Sequence, residues 1–135
     1  MAGAVSATTI TINSADELRA FATNVTDGKT MYLGTIIAGS TIELAADIDL
    51  SDSEWTPINA SNQRLDGCTI DGKGHTISNM RFTGLGPYAS SSSGQPANYY
   101  VGFISYFAAN TGLTIQNITF KDAYSHQQNP MEMVE

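Results

Sequence analysis

Asp47, Asp49, Asp52 and Glu54 stand close together and invite a calcium site, because Ca²⁺ is held by several carboxylate and carbonyl oxygens. An EF-hand loop needs Gly at its sixth position and Glu at its twelfth; counted from Asp47 these are Asp52 and Ile58, so the motif fails. Asp47 and Asp49 also share the outward parity of a strand, where solvated carboxylates are ordinary. No metal or other cofactor is expected. A second set, Asp71, Lys73 and His75 in "DGKGHT", contains an acid, a base and a cation, as a polysaccharide-cleaving site would. Such sites need carboxylates or basic residues converging from separate strands, and this segment offers one acid beside Gly-Lys-Gly. A turn that demands Gly at two positions explains it better, so no catalytic residue is assigned.

His126 has no Cys or His near it in the sequence, and Ser90 to Ser93 lack a nucleophile-elbow context. Sequons occur at Asn24, Asn59 and Asn117, the last of which a chain corner explains. Recognition is instead expected on the 83–98 insert, "TGLGPYASSSSGQPAN", with its Tyr88 and the flanking Tyr99 and Tyr100. Loops on rigid scaffolds commonly carry binding, and Tyr gives large contact area at low entropic cost. The competing reading starts a strand at Tyr99 and Tyr100 and puts one of them in the core.

The elements that must carry these residues follow from the periodicity. "TTITI" at 8–12 is β-branched throughout and predicts a strand. Ser14 and Glu17 have capping-box spacing, and Leu18, Phe21, Ala22 and Val25 follow the helical period until "DG" at 27–28, so one amphipathic helix is expected over 14–26. In "TIELAADIDL" Ile42, Leu44, Ala46, Ile48 and Leu50 share one parity and Glu43, Asp47 and Asp49 the other, which predicts a half-buried strand, or two joined at a bend. Trp55 and Ile58 are expected in the core, and Pro57 outside a central ladder position. The second half alternates short β-branched pieces with Gly-containing turns. Residues 124–135, polar and interrupted by Pro130, are expected to form a tail or arm outside the sheet.

"HTISNMRF" at 75–82 and "LTIQNITF" at 113–120 share one skeleton, their Thr-Ile pairs at 76 and 114 lying 38 residues apart. Within each copy the apolar parity breaks at Asn79 or Asn117. Turning the chain at Asn, which tolerates a left-handed backbone, lets Ile77, Met80 and Phe82 face one core, and likewise Ile115, Ile118 and Phe120. Strand, Asn corner, strand is the pattern of a parallel β-solenoid turn, with Phe82 and Phe120 expected in one core column, one turn apart.

The ordered segments "SADELRAFATNV", "IELAADIDLSDSEWTPI", "IDGKGHTISNMRF", "VGFISYF" and "LTIQNITF", spanning about 8–123, resemble the start of right-handed parallel β-helix domains of the pectate-lyase-like type, as in bacterial cell-surface and adhesin-like proteins with GLUG-type repeats. The resemblance implies a short β-helix over 1–123 with residues 14–26 capping its N-terminal end. Two departures are that such chains continue through many more turns and that the 83–98 insert is longer than a turn needs.

The chain has 135 residues, the size of one domain, with thirteen acidic against six basic residues and a formal charge of -7. That balance disfavours nucleic acid and anionic membrane as partners. The single Cys68 leaves no internal disulfide to form. "MAGAVSATTITI" has neither the basic start nor the apolar run of a secretory signal, which suits an excised or mature domain, or a phage protein assembled without secretion. The expected function is a non-enzymatic structural or adhesive module facing outward, on a bacterial surface or in a virion. Its open end and the 124–135 segment would meet protein partners or further copies of the chain. The alternatives are the first turns of a polysaccharide lyase or hydrolase, and a small glycan-binding module.

Overall fold

The computed structural model describes residues 8–83, 102–106 and 110–126. Among the described residues the chain is built mainly from short strands, with one helix, and its sheets are almost all parallel. The first strand, β1 (Thr9–Ile12), is followed by α1 (Ala15–Thr26), whose N-cap Ser14 accepts the Glu17 N–H while Glu17 reaches back toward the Ser14 hydroxyl. The Ser14–Glu17 spacing predicts this N-cap, although the return contact runs from the Ser14 hydroxyl to the Glu17 carboxylate rather than from the Ser14 N–H of a full capping box. Leu18, Phe21, Ala22 and Val25 form the buried face of the helix. An antiparallel hairpin, β2 (Met31–Tyr32) and β3 (Thr35–Ile36), turns through Leu33 and Gly34, both at positive φ as a tight hairpin turn requires.

Parallel rows then accumulate. β4 (Thr41–Leu44), β7 (Thr69–Asp71) and β11 (Thr114–Gln116) add to β1 in the order β1-β4-β7-β11. On a second side β5 (Ile48–Asp49), β8 (Thr76–Ser78) and β12 (Thr119–Lys121) stack in that order; elsewhere β6 (Ile58–Asn59) pairs with β10 (Ile104–Tyr106), and β9 (Arg81–Thr83) with β13 (Tyr124–His126). The registers put like on like. Ile10, Ile42, Ile70 and Ile115 form one inward column, Ile48, Ile77 and Phe120 a second, and Thr9, Thr41, Thr69 and Thr114 a row on the other parity of the first sheet.

The period-two reading of 41–50 holds as two strands joined at a bend, with Ile42, Leu44, Ile48 and Leu50 buried. Trp55 and Ile58 are in the core as expected. Helix α1 lies against β6 on the side away from β10: Asn59 N–H donates to the Thr26 hydroxyl, whereas Ile58 N–H donates to the Phe103 carbonyl.

Two expectations need correcting. The corners are real, since Asn79 (φ 62°) and Asn117 (φ 57°) are both left-handed, and Ile77 and Met80 are buried with Phe82 packed against them. The two skeleton copies nevertheless do not stack on each other: Thr114 lies beside Thr69 and Phe120 beside Ile77, while Phe82 lies beside Ser125. Each copy forms a corner, but the second copy's strands pair with β7 and β8 whereas the first copy's are β8 and β9, so the 38-residue interval is not the spacing between stacked rows. The register steps from Thr41 to Thr69, 28 residues, and from Thr69 to Thr114, 45 residues, where the insert intervenes. Second, Tyr124–His126, at the start of the expected tail, is a strand parallel to β9. Residues from 127 onward lie outside the described residues.

Candidate functional site

The corners place most of the chemistry that the sequence offers. At the bend after β7, Asp71 is 8 % exposed and three groups hold its carboxylate: Lys73 N–H at 2.9 Å, the Asn117 amide at 3.1 Å and the Gln116 amide at 3.3 Å. The Lys73 N–H, then the Asn117 amide, hold its pKa below the usual carboxylate value. Asp71, Lys73 and His75 do not converge. Lys73 Nζ goes to Glu43 at 3.3 Å and His75 Nδ1 to Asp47 at 3.1 Å, each partner belonging to the preceding row. Gly72 is required here for a reason its backbone angle does not reveal: a Cβ would lie 2.9 Å from Ile118 Cα and closer still to Ile118 Cγ1 and the Asn117 carbonyl. The left-handed positions of the turn are Lys73 and Gly74, so the turn needs Gly once for φ and once for proximity.

The would-be calcium ligands are distributed the same way. Asp47 accepts Thr76 N–H and faces His75, in that order the causes of its lowered pKa. Asp49 accepts the Asn79 amide at 2.9 Å and Ser51 N–H at 2.9 Å, and its pKa is lowered by the same two contacts. Asp52 pairs with Arg19 at 3.0 Å. Among the described residues no three His, Cys, Asp or Glu side chains gather as a metal site would require. Burial pushes the Cys68 thiol above its ordinary value, which leaves it a poor nucleophile at neutral pH.

Arg19 is the residue whose role the sequence concealed. From the helix it donates to the carbonyls of Leu50, Ser53 and Glu54, besides pairing with Asp52, and it lies 6.0 Å from the Trp55 ring centre. It thereby fixes the 50–55 loop against α1, and only the fold brings these acceptors within reach. Register likewise sets Glu43 beside Asp71 on adjacent rows, a neighbourhood that a separation of 28 positions hides.

The expected recognition residues Tyr88, Tyr99 and Tyr100, with the 83–98 insert except its first residue Thr83 at the end of β9, lie outside the described residues. A cavity of about 340 Å³ beside α1 is lined by Arg19, Thr23, Thr26 and Trp55, but Trp55 is 3 % exposed and presents little ring face to a sugar. The larger feature is apolar. An open cavity of about 460 Å³ on the outermost row among the described residues is lined by Phe103, Ile104, Leu113, Ile115 and Phe120, with Phe103 stacked on Trp55 at 5.4 Å and against Phe120 at 5.4 Å. Exposure rises abruptly along each column, from 3 % at Ile70 to 45 % at Ile115, and from 1 % at Ile77 to 41 % at Phe120.

No family model, no curated protein and no solved structure matches this chain.

Proposed function

We propose that the chain is a non-enzymatic structural or adhesive module, a short right-handed parallel β-helix whose turns are the stacked rows, closed by α1 at one end and completed by a protein contact at the other. It belongs to an outward-facing assembly on a bacterial surface or in a virion. The observation that carries this reading is the asymmetry of the two end rows. β1 is as terminal as β11, yet Ile10 is 4 % exposed and Ile12 0 %, beneath a core that includes Leu18, Phe21, Val25 and Tyr32, whereas Ile115 is 45 % exposed. Apolar side chains set in register on unpaired strand edges are a surface for association. Further support is that the corner carboxylates Asp47, Asp49 and Asp71 spend their acceptors on the neighbouring row.

One observation favours a second reading, a polysaccharide-active fragment: Glu43 and Asp71 are register neighbours on the same face. Release of reducing ends or unsaturated products from a panel of acidic and neutral glycans separates the two. The structural reading expects no turnover by the wild-type chain. Turnover abolished by Glu43→Gln or Asp71→Asn, in variants that melt cooperatively, would establish the enzyme instead.

A further inference from the structure

We propose that the outermost row docks end to end on a second copy of this chain through a twofold axis, burying Ile115 and Phe120 of both copies. The proposal rests on the reading above, that this row is the uncovered end of a stack, and names what covers it. Thr114 N–H donates inward to the Cys68 carbonyl and the Gln116 carbonyl accepts inward from Gly72, so the alternation of a parallel ladder points the Ile115 N–H and C=O outward. The same holds for Phe120, between Thr119 N–H donating to His75 and the Lys121 carbonyl accepting from Asn79. The row therefore presents backbone donors, backbone acceptors and apolar side chains together, as strand addition requires.

A second copy fits for two reasons. Ile10 and Ile12 are already covered, so among the described residues the first row offers no exposed apolar column for head-to-tail stacking, whereas a second copy brings the same outward donors, acceptors and apolar columns to meet this row, and a twofold operator closes such a contact. Charge agrees. Residues 110–126 contain Lys121 and Asp122 and no other Lys, Arg, Asp or Glu, in a chain whose formal charge is -7, so this stretch carries no net charge and adds little repulsion when two acidic molecules meet through it.

The test is sedimentation equilibrium of the full chain from about 1 to about 100 µM, a range in which mass action populates a specific dimer. The expected mass is twice 14.4 kDa at the upper end, falling to a single chain for Phe120→Asp with unchanged circular dichroism. Should Phe120→Asp fail to fold, Ile115→Pro, which removes an outward N–H while sparing the inward ladder, is expected to give the same loss of the dimer. A monomer throughout the range overturns the proposal and returns the face to residues 127–135 or to a different protein; a dimer that survives Phe120→Asp and Ile115→Pro also overturns it. Glycan turnover, in contrast, overturns the structural reading whatever the mass, so the two failures are distinguishable.

Discussion

Asp47, Asp49, Asp66 and Asp71 each accept hydrogen bonds from a following row, and each is held below the usual carboxylate pKa. For Asp66 the donors are the Thr111 hydroxyl and then its backbone N–H. Since the folded values lie below the unfolded value of about 3.9, the stabilisation is fully present above about pH 4 and is lost as pH falls through the folded values. Urea midpoints are expected to be flat from about pH 5 to about pH 7 and to drop below about pH 4, with Asp71→Asn making that drop shallower. A midpoint that rises on acidification would contradict the assignment. Two glycines at the same turn make a second prediction. Gly74 has φ 85° with open space at its Cβ position, so Gly74→Ala should cost about 1 kcal/mol in strain. Gly72→Ala must displace the backbone of the next row and should cost about 3 kcal/mol or more, by analogy with severe overpacking. Equal losses in chemical denaturation would show that the rows are not in this close contact.

At the scale of the element, α1 forms where its capping and period predict, because both signals are local. Ser14→Ala removes the acceptor for Glu17 N–H and is expected to lower stability by about 1 kcal/mol in urea titrations, with little change in the strand signal. The Asn corners were equally legible, since a left-handed residue between two β-branched pieces is a local demand. Which corner stacks on which was not. The two Thr-Ile-x-Asn copies look alike because both solve the same bending problem, and their similarity gave the wrong partner: Phe120 belongs over Ile77 rather than with Phe82. The strand at Tyr124–His126 was missed for a related reason, its partner being β9, 43 residues earlier at Arg81.

For the whole molecule, one column offers a direct measurement of what an end row is worth. Ile70 and Ile115 occupy successive levels of the same stack, 3 % and 45 % exposed. Ile70→Ala should cost about 2–5 kcal/mol at any protein concentration, as a buried truncation does. Ile115→Ala should cost less than about 1 kcal/mol in dilute solution, where roughly half the side chain already meets water. Its cost should grow with concentration where dimer forms, because the lost contact is then intermolecular. Thermal melts of both variants at two concentrations, at least tenfold apart, check this; identical concentration dependence would place Ile115 outside any interface.

The sequence by itself determined the helix with its cap, the inward parity of Ile42, Leu44, Ile48 and Leu50, the left-handed corners at Asn79 and Asn117, and the outward carboxylates. All are set by a residue and its neighbours within a few positions. Only the tertiary structure decided the register, and with it the partners of Asp71, the grip of Arg19 on the 50–55 loop and the need for Gly72. It also decided that the apolar residues of the last row stand exposed, because an Ile in a repeating pattern reads the same whether or not another row lies above it.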